Sequence, residues 1–334
     1  MLNRRVIARK FAALENTQRR SVSTPAANNR KLNIFGTPTS IKLMPKLCRF
    51  KLLFLAEILV LSFWTQTHAQ TFTPHIPNEL TFCGEPVPLD DPEIRRRLEK
   101  ELIVNVNKHA STILILKQSG RWKAFLQSML DSAAVPKEFF YLAVIESELD
   151  PMTRSSAGAS GFWHFTVSTA HEYGLEVSDY VDERRDAEKS TRAAAEFLKR
   201  AHKKFGSWTL AAAAFNRGSK GIENAVNGQH TNNYYQLYLN EETARYVFRI
   251  LALKLIIEAP EKYGYNFLPS DYYQPVAYKT ISVGESIQDL PQYAKSLGVS
   301  YQALKEHNPW IQNSDYKLIL KEGKKYNVKI PVRP

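Results

Sequence analysis

Between Val144 and Phe165 the chain reads V-I-E-S-E-L-D-P-M-T-R-S-S-A-G-A-S-G-F-W-H-F, and this stretch organises the reading of the rest. Ahead of Glu146 lies an apolar run, Phe139-Phe140-Tyr141-Leu142-Ala143-Val144-Ile145, which predicts a helix of about three turns. Proline disfavours the helical conformation of the residue before it, so Asp150-Pro151 ends that helix. Ser155 through Gly161 are small enough to let another segment approach closely, and Phe162, Trp163, His164 and Phe165 follow. A carboxylic acid among apolar side chains resists ionisation, because desolvation penalises the charged form. A general acid working near neutral pH needs that property. The residues alone leave open the alternative of an ordinary helix-end carboxylate facing water.

Working outward, the chain has 334 residues and a formal charge of +12, which invites a nucleic-acid partner. The distribution argues against one. Residues 1–69 hold 12 Lys/Arg and 2 Asp/Glu, leaving 33 basic and 31 acidic residues beyond them. The surplus therefore belongs to a leading segment that reads as a targeting signal. From Met44 a short basic stretch precedes a mostly apolar run, Leu52 to Trp64, too short to span a bilayer comfortably. Thr67-His68-Ala69 ends in a small residue suited to cleavage. We read 44–69 as a signal peptide and 1–43 as unstructured or as an upstream mis-assigned start. Once that signal is removed, Cys83 is the sole cysteine, so neither an intrachain disulfide nor a thiolate zinc site is available. No histidine spacing suggests a metal, and no cofactor is expected.

Residues 70–92 are studded with proline and predict an extended leader. Asp90-Asp91-Pro92-Glu93 then opens a helix reaching about residue 107. Gly120 is expected to break the apolar stretch that follows, with a short helix after it. Thr166–Tyr173, Asp186–Phe205, Trp208–Phe215 and Glu241–Glu258 read as further helices, Gly174 and Gly206 stopping the first two. Tyr180 to Asp186 reads as a charged turn. No strand pattern appears between 90 and 260, so 93–260 predicts one helical domain, with 261–275 a proline-rich linker. Over 276–334 the pattern changes to strand–helix–helix–strand, a separate small module.

The segment around Glu146 resembles the family 1 lytic transglycosylases, of the membrane-bound lytic murein transglycosylase D type, over roughly residues 80–265. Four short signatures fall in the family's order. They are Glu146-Ser147, the small-residue loop ending in Gly161-Phe162-Trp163-His164, Ala214-Phe215-Asn216, and Tyr246 within Glu242-Thr243-Ala244-Arg245-Tyr246-Val247. Two positions depart from the family pattern: His164 replaces a glutamine and Phe215 a tyrosine. The C-terminal module resembles a LysM domain, through Lys279 to Ser286, Tyr301 to Pro309, Gly323-Lys324 and Ile330-Pro331. The fold class implied is mainly α, a lysozyme-like helical domain followed by a small α+β (βααβ) LysM-like module.

The resemblance implies cleavage of the β-1,4 bond between N-acetylmuramic acid and N-acetylglucosamine, with Glu146 as the single acid and base and a 1,6-anhydro product. One carboxylate suits these residues. Glu148 is two positions from Glu146 on the same helix, where side chains point to different sides. Ser147, Ser155, His164, Phe215, Asn216 and Tyr246 are the implied substrate-binding residues. The implied partner is the peptidoglycan glycan strand at the cell envelope, with peripheral membrane association and oligomeric state left open. A hydrolytic muramidase and a catalytically weak wall-binding protein are the alternatives.

Overall fold

Proline and acid open the first long helix as the sequence predicts. In the computed structural model, which describes residues 73–312 and 315–332, helix α1 (Pro92–Asn107) starts with proline and is capped by Asp91, whose side chain accepts from the Glu93 amide. The predicted signal peptide and the residues ahead of it lie outside the described residues. Helix α2 (His109–Ser132) follows after one non-helical residue, Lys108. The break therefore falls at Lys108 and not at Gly120. Carbonyls in the last turn of α1 are taken by side chains, Asn105 O by the Thr112 hydroxyl (2.6 Å) and Val106 O by the Tyr265 phenol (2.9 Å). Gly120 lies mid-helix for a different reason. A Cβ there would meet Tyr272 Cβ at 2.6 Å and Tyr273 O at 2.9 Å, because the segment predicted as a linker crosses α2 at this point. The Tyr273 amide donates to Lys117 O (2.9 Å), and Tyr263 and Tyr265 are buried. The linker is a strap.

The remaining helices of the body are α3 (Phe140–Ser147), α4 (Val167–Glu172), α5 (Ala187–Phe205), α6 (Trp208–Arg217), α7 (Ser219–Gln229) and α8 (Glu241–Glu258). Helix α5 begins at Asp186, which accepts from the Glu188 and Lys189 amides, and ends at Gly206 in the left-handed conformation (φ 69°). Its apolar stripe packs on α2 and α6, while α8 packs on α1, α3 and α6. The body is mainly helical, with few strands.

The expected extended leader is part of this body over its described residues. Ile76, Leu80, Phe82, Val87 and Leu89 are all in the core. A short antiparallel hairpin forms from β1 (Thr81–Phe82) and β2 (Glu85–Pro86), turned by Cys83 and Gly84 at φ 53° and 80°. It delivers Glu85 to the start of α6. There the carboxylate accepts from the Ser207 hydroxyl (2.9 Å), the Thr209 hydroxyl (2.6 Å) and the Trp208 and Thr209 amides. Four donors on one carboxylate satisfy groups that a helix start leaves open. Proline content hid this: the prolines keep the segment extended, and its apolar residues bury it.

The C-terminal module has the predicted order, β3 (Tyr278–Val283), α9 (Leu290–Ser296), α10 (Tyr301–His307) and β4 (Tyr326–Pro331). Its strands pair antiparallel, Tyr278 opposite Pro331 and Val283 opposite Tyr326. Among the described residues no helix is long and apolar enough to cross a membrane.

Candidate active site

Helix α3 is fully apolar except at its end, and its burial carries Glu146 inward until the side chain is only 17% exposed. The helix stops at Glu148, two residues before the predicted Asp150, because Glu148 and Leu149 turn left-handed (φ 52° and 64°). That turn sends Glu148 outward, where it accepts from the Ser111 hydroxyl (2.8 Å), and Asp150 accepts from the Met152 amide (2.8 Å). Both neighbouring acids are thus engaged elsewhere.

Among the described residues each oxygen of Glu146 meets one protein group. The Tyr246 phenol donates to Oε1. Tyr246 is buried in α8, and burial first, then the charge of Glu146 and this hydrogen bond, push its pKa well above that of a free phenol. It therefore remains a donor across the working pH range. On the other side, His164 Nδ1 lies 3.3 Å from Oε2. His164 has a left-handed backbone (φ 52°), and its buried Nε2 has no hydrogen-bond partner among the described residues. The residue expected to line the groove in fact leans on the carboxylate itself.

The small-residue loop that carries His164 is held from several sides. Ser160 and Phe165 bridge (N–O 3.1 Å), the Gly161 amide donates to Thr153 O (3.2 Å), and the Ala159 amide donates to Ser155 Oγ (3.0 Å). Gly161 has φ +83°, and a Cβ there would sit 1.9 Å from Arg184 O. Glycine is required at that position. Ser155 is half-buried, and its hydroxyl serves the loop's own turn. Ser147 is 2% exposed, and its hydroxyl lies 3.0 Å from both Ala143 O and Phe162 O. It ties the loop to α3. Trp163 is fully buried, with Nε1–H donating to Thr191 (2.9 Å).

Phe215 and Asn216 lie in the last turn of α6. Phe215 is half-buried against Trp163, Phe165 and Phe197, with ring centroids 6.2, 5.5 and 5.0 Å away. It supports the loop through packing and offers no polar contact. The Asn216 amide donates to Glu242 (3.1 Å), while its oxygen accepts from Thr243 (2.8 Å). This pins the end of α6 to the first turn of α8, three residues before Tyr246. The same turn is fixed from behind by Arg245, which bonds the buried Glu101 (2.6 Å). A cavity of about 590 Å³ opens on the flank of α3, lined by Ile145, Glu148, Arg245 and Arg249 among others; Glu146 is not in its wall.

Sequence reasoning missed Asp182 and Arg184. Read as a charged turn, the segment is buried, with Asp182 1% and Arg184 4% exposed. Arg184 donates through Nε and Nη2 to both Asp182 oxygens (2.8 Å each), and through Nη1 to Gly158 O (2.8 Å) and Phe165 O (3.1 Å). It clamps both limbs of the loop. The available signal was opposite charge at a two-residue spacing, Asp182 and Arg184, directly after the apolar Val181.

Residues 123–238 match the Transglycosylase SLT domain family, and residues 279–334 match the soluble lytic transglycosylase C-terminal LysM-like domain family. The membrane-bound lytic murein transglycosylase D of Escherichia coli is 29% identical over 242 residues, covering 70% of this chain and 52% of that protein. The chain thus spans about half the length of the curated relatives it matches. The 70 kDa soluble lytic transglycosylase of the same organism superposes with a TM-score of 0.37 at 16% identity, over 52% of this chain and 31% of that one. Over 242 residues the chain is homologous to that membrane-bound lytic murein transglycosylase D, and it carries a segment matching the transglycosylase SLT domain followed by one matching the LysM-like domain.

Proposed function

We propose that this protein is a peptidoglycan lytic transglycosylase in which Glu146 is the single acid and base. The observation that carries the reading is the environment of Glu146. One oxygen is held by Tyr246 and the other faces His164, while Glu148 and Asp150 are turned away. A hydrolase of the usual kind needs a second carboxylate across the sugar. A transglycosylase does not.

In the proposed reaction the Glu146 carboxyl gives its proton to the glycosidic oxygen between N-acetylmuramic acid and N-acetylglucosamine. The C1–O bond breaks, and the 2-acetamido oxygen of the muramyl residue supports the positive charge at C1. The Glu146 carboxylate then takes the proton of the muramyl 6-hydroxyl as its oxygen bonds to C1. The 1,6-anhydro ring closes, no water is consumed, and Glu146 ends protonated again. Intramolecular attack of this kind carries a high effective molarity. Tyr246 orients the carboxylate throughout, and Asn216 and the loop from Ser155 to His164 border the glycan. The catalytic body extends beyond the predicted 93–260 to take in the described leader and the strap, whose Ile76 to Leu89, Tyr263 and Tyr265 share its core, and 276–334 is a glycan-binding module. Export to the periplasm or cell envelope follows from the substrate.

Digestion of purified sacculi in ¹⁸O-water, followed by mass spectrometry, tests the reading. Anhydro-ended fragments without label are expected. Reducing ends carrying ¹⁸O would make the protein a muramidase, and the absence of any fragments would make it a wall-binding protein.

A further inference from the structure

The segment from Glu176 to Arg184 belongs to two cores at once. Val181, fully buried, packs inside the C-terminal module with Leu290, Trp310, Ile311, Leu318 and Val328. The backbone pairs there as well. The Asp182 amide donates to Trp310 O (2.8 Å), and the Gln312 amide donates to Tyr180 O (2.8 Å). The module fixes the segment's charges too: Lys324 Nζ lies 2.7 Å from both Glu176 and Glu183, and the Tyr326 phenol donates to Glu176 (2.6 Å). The adjoining residues of the same segment are Asp182 and Arg184, whose guanidinium holds Gly158 O and Phe165 O at the two limbs of the loop. Between those limbs sits His164, 3.3 Å from Glu146.

We propose that the C-terminal module is a positioning element of the active site. Seated on Val181 and the Glu176–Glu183 pair, it holds the Asp182–Arg184 clamp, and through it the loop that presents His164 to Glu146. Turnover, and not only wall binding, then depends on the module being in place. This rests on the catalytic reading of Glu146, but its structural half is measurable without any activity.

The test uses the full chain with Lys324→Met and Tyr326→Phe combined, which removes three polar contacts and leaves the apolar core intact. Amide exchange across 158–165 should quicken roughly tenfold. On soluble glycan strands kcat should fall roughly tenfold while KM and binding to sacculi stay within about twofold, the pattern of a catalytic group displaced by a fraction of an ångström. Lys324→Arg should restore both readouts. Unchanged exchange with unchanged kcat overturns the proposal, and so does a loss confined to sacculus binding. If the double variant does not fold, Lys324→Met alone decides by the same criteria. If the wild type shows no turnover, the catalytic reading falls, and exchange across 158–165 alone decides whether the module holds the loop.

Discussion

Two partly buried carboxylates in this molecule, Glu85 and Glu146, sit against helix ends, and their surroundings differ in one respect. Glu85 receives four donors from the first turn of α6, so its oxygens have little capacity left. Glu146 meets two groups, one per oxygen, and at 17% exposure it keeps room for a further partner. A saturated carboxylate holds structure together, while an under-coordinated one on a rigid helix is equipped to exchange a proton. Position alone would not separate them; the count of donors does.

The comparison breaks most readily at Glu146. Glu146→Gln preserves shape and removes the proton, so turnover of sacculi should fall about 10³-fold, with the melting temperature moving by no more than about 2 °C. Turnover within a few-fold of wild type would end the distinction. Tyr246→Phe comes next. Losing one hydrogen bond to a charged group costs about 1.5–3 kcal/mol, or roughly 10–100-fold in rate. The loss should appear in kcat with KM nearly unchanged, measured on soluble glycan strands. At Glu85 the effects should reverse. Glu85→Gln turns an amide N–H toward donors, and should cost about 2 kcal/mol and lower the melting temperature by roughly 4–8 °C. The rate per folded molecule should stay as in the wild type.

A third carboxylate, Glu183, sharpens the contrast through pH. Burial alone would raise its pKa, but hydrogen bonds from Lys189, Lys324 and the Glu176 amide outweigh burial and hold it below the ordinary 4.5. The stabilisation it supplies is therefore present above about 4.5 and is lost as pH falls through the lower folded value. Thermal melts of wild type and Lys324→Met should differ most near neutrality and converge in acid. A difference that does not narrow as the solution is acidified would remove Glu183 from the account.

Much of the fold was legible because helices advertise their ends. Asp91-Pro92, Asp186 and Gly206 mark boundaries through groups that any helix must satisfy, whatever packs against it. What escaped depends on contacts distant in sequence. Gly120 reads as a helix breaker, yet its role is to admit Tyr272, 152 residues later. The Pro-rich 73–92 segment reads as a tether until its alternating apolar residues find the core. At the site, Glu146 and Tyr246 were legible from their surroundings and their short signatures, and the structure brings them together. Ser147 read as functional because its hydroxyl neighbours a carboxylate, and its backbone position points that hydroxyl inward to Ala143 and Phe162. The charges of Asp182 to Arg184 suggested water, because single residues do not reveal that opposite charges will neutralise each other inside.

Val181 has a consequence for how the chain reaches its native state. The hole it fills belongs to a module whose strands and helices begin about a hundred residues later, at Tyr278. Those later residues cannot complete their interior alone, and need the earlier segment in place to do so. Cut free, a fragment starting at Tyr278 would lack one of its own core side chains. Such a fragment would be less cooperative in unfolding than the same residues within the whole protein, because part of its template was left behind.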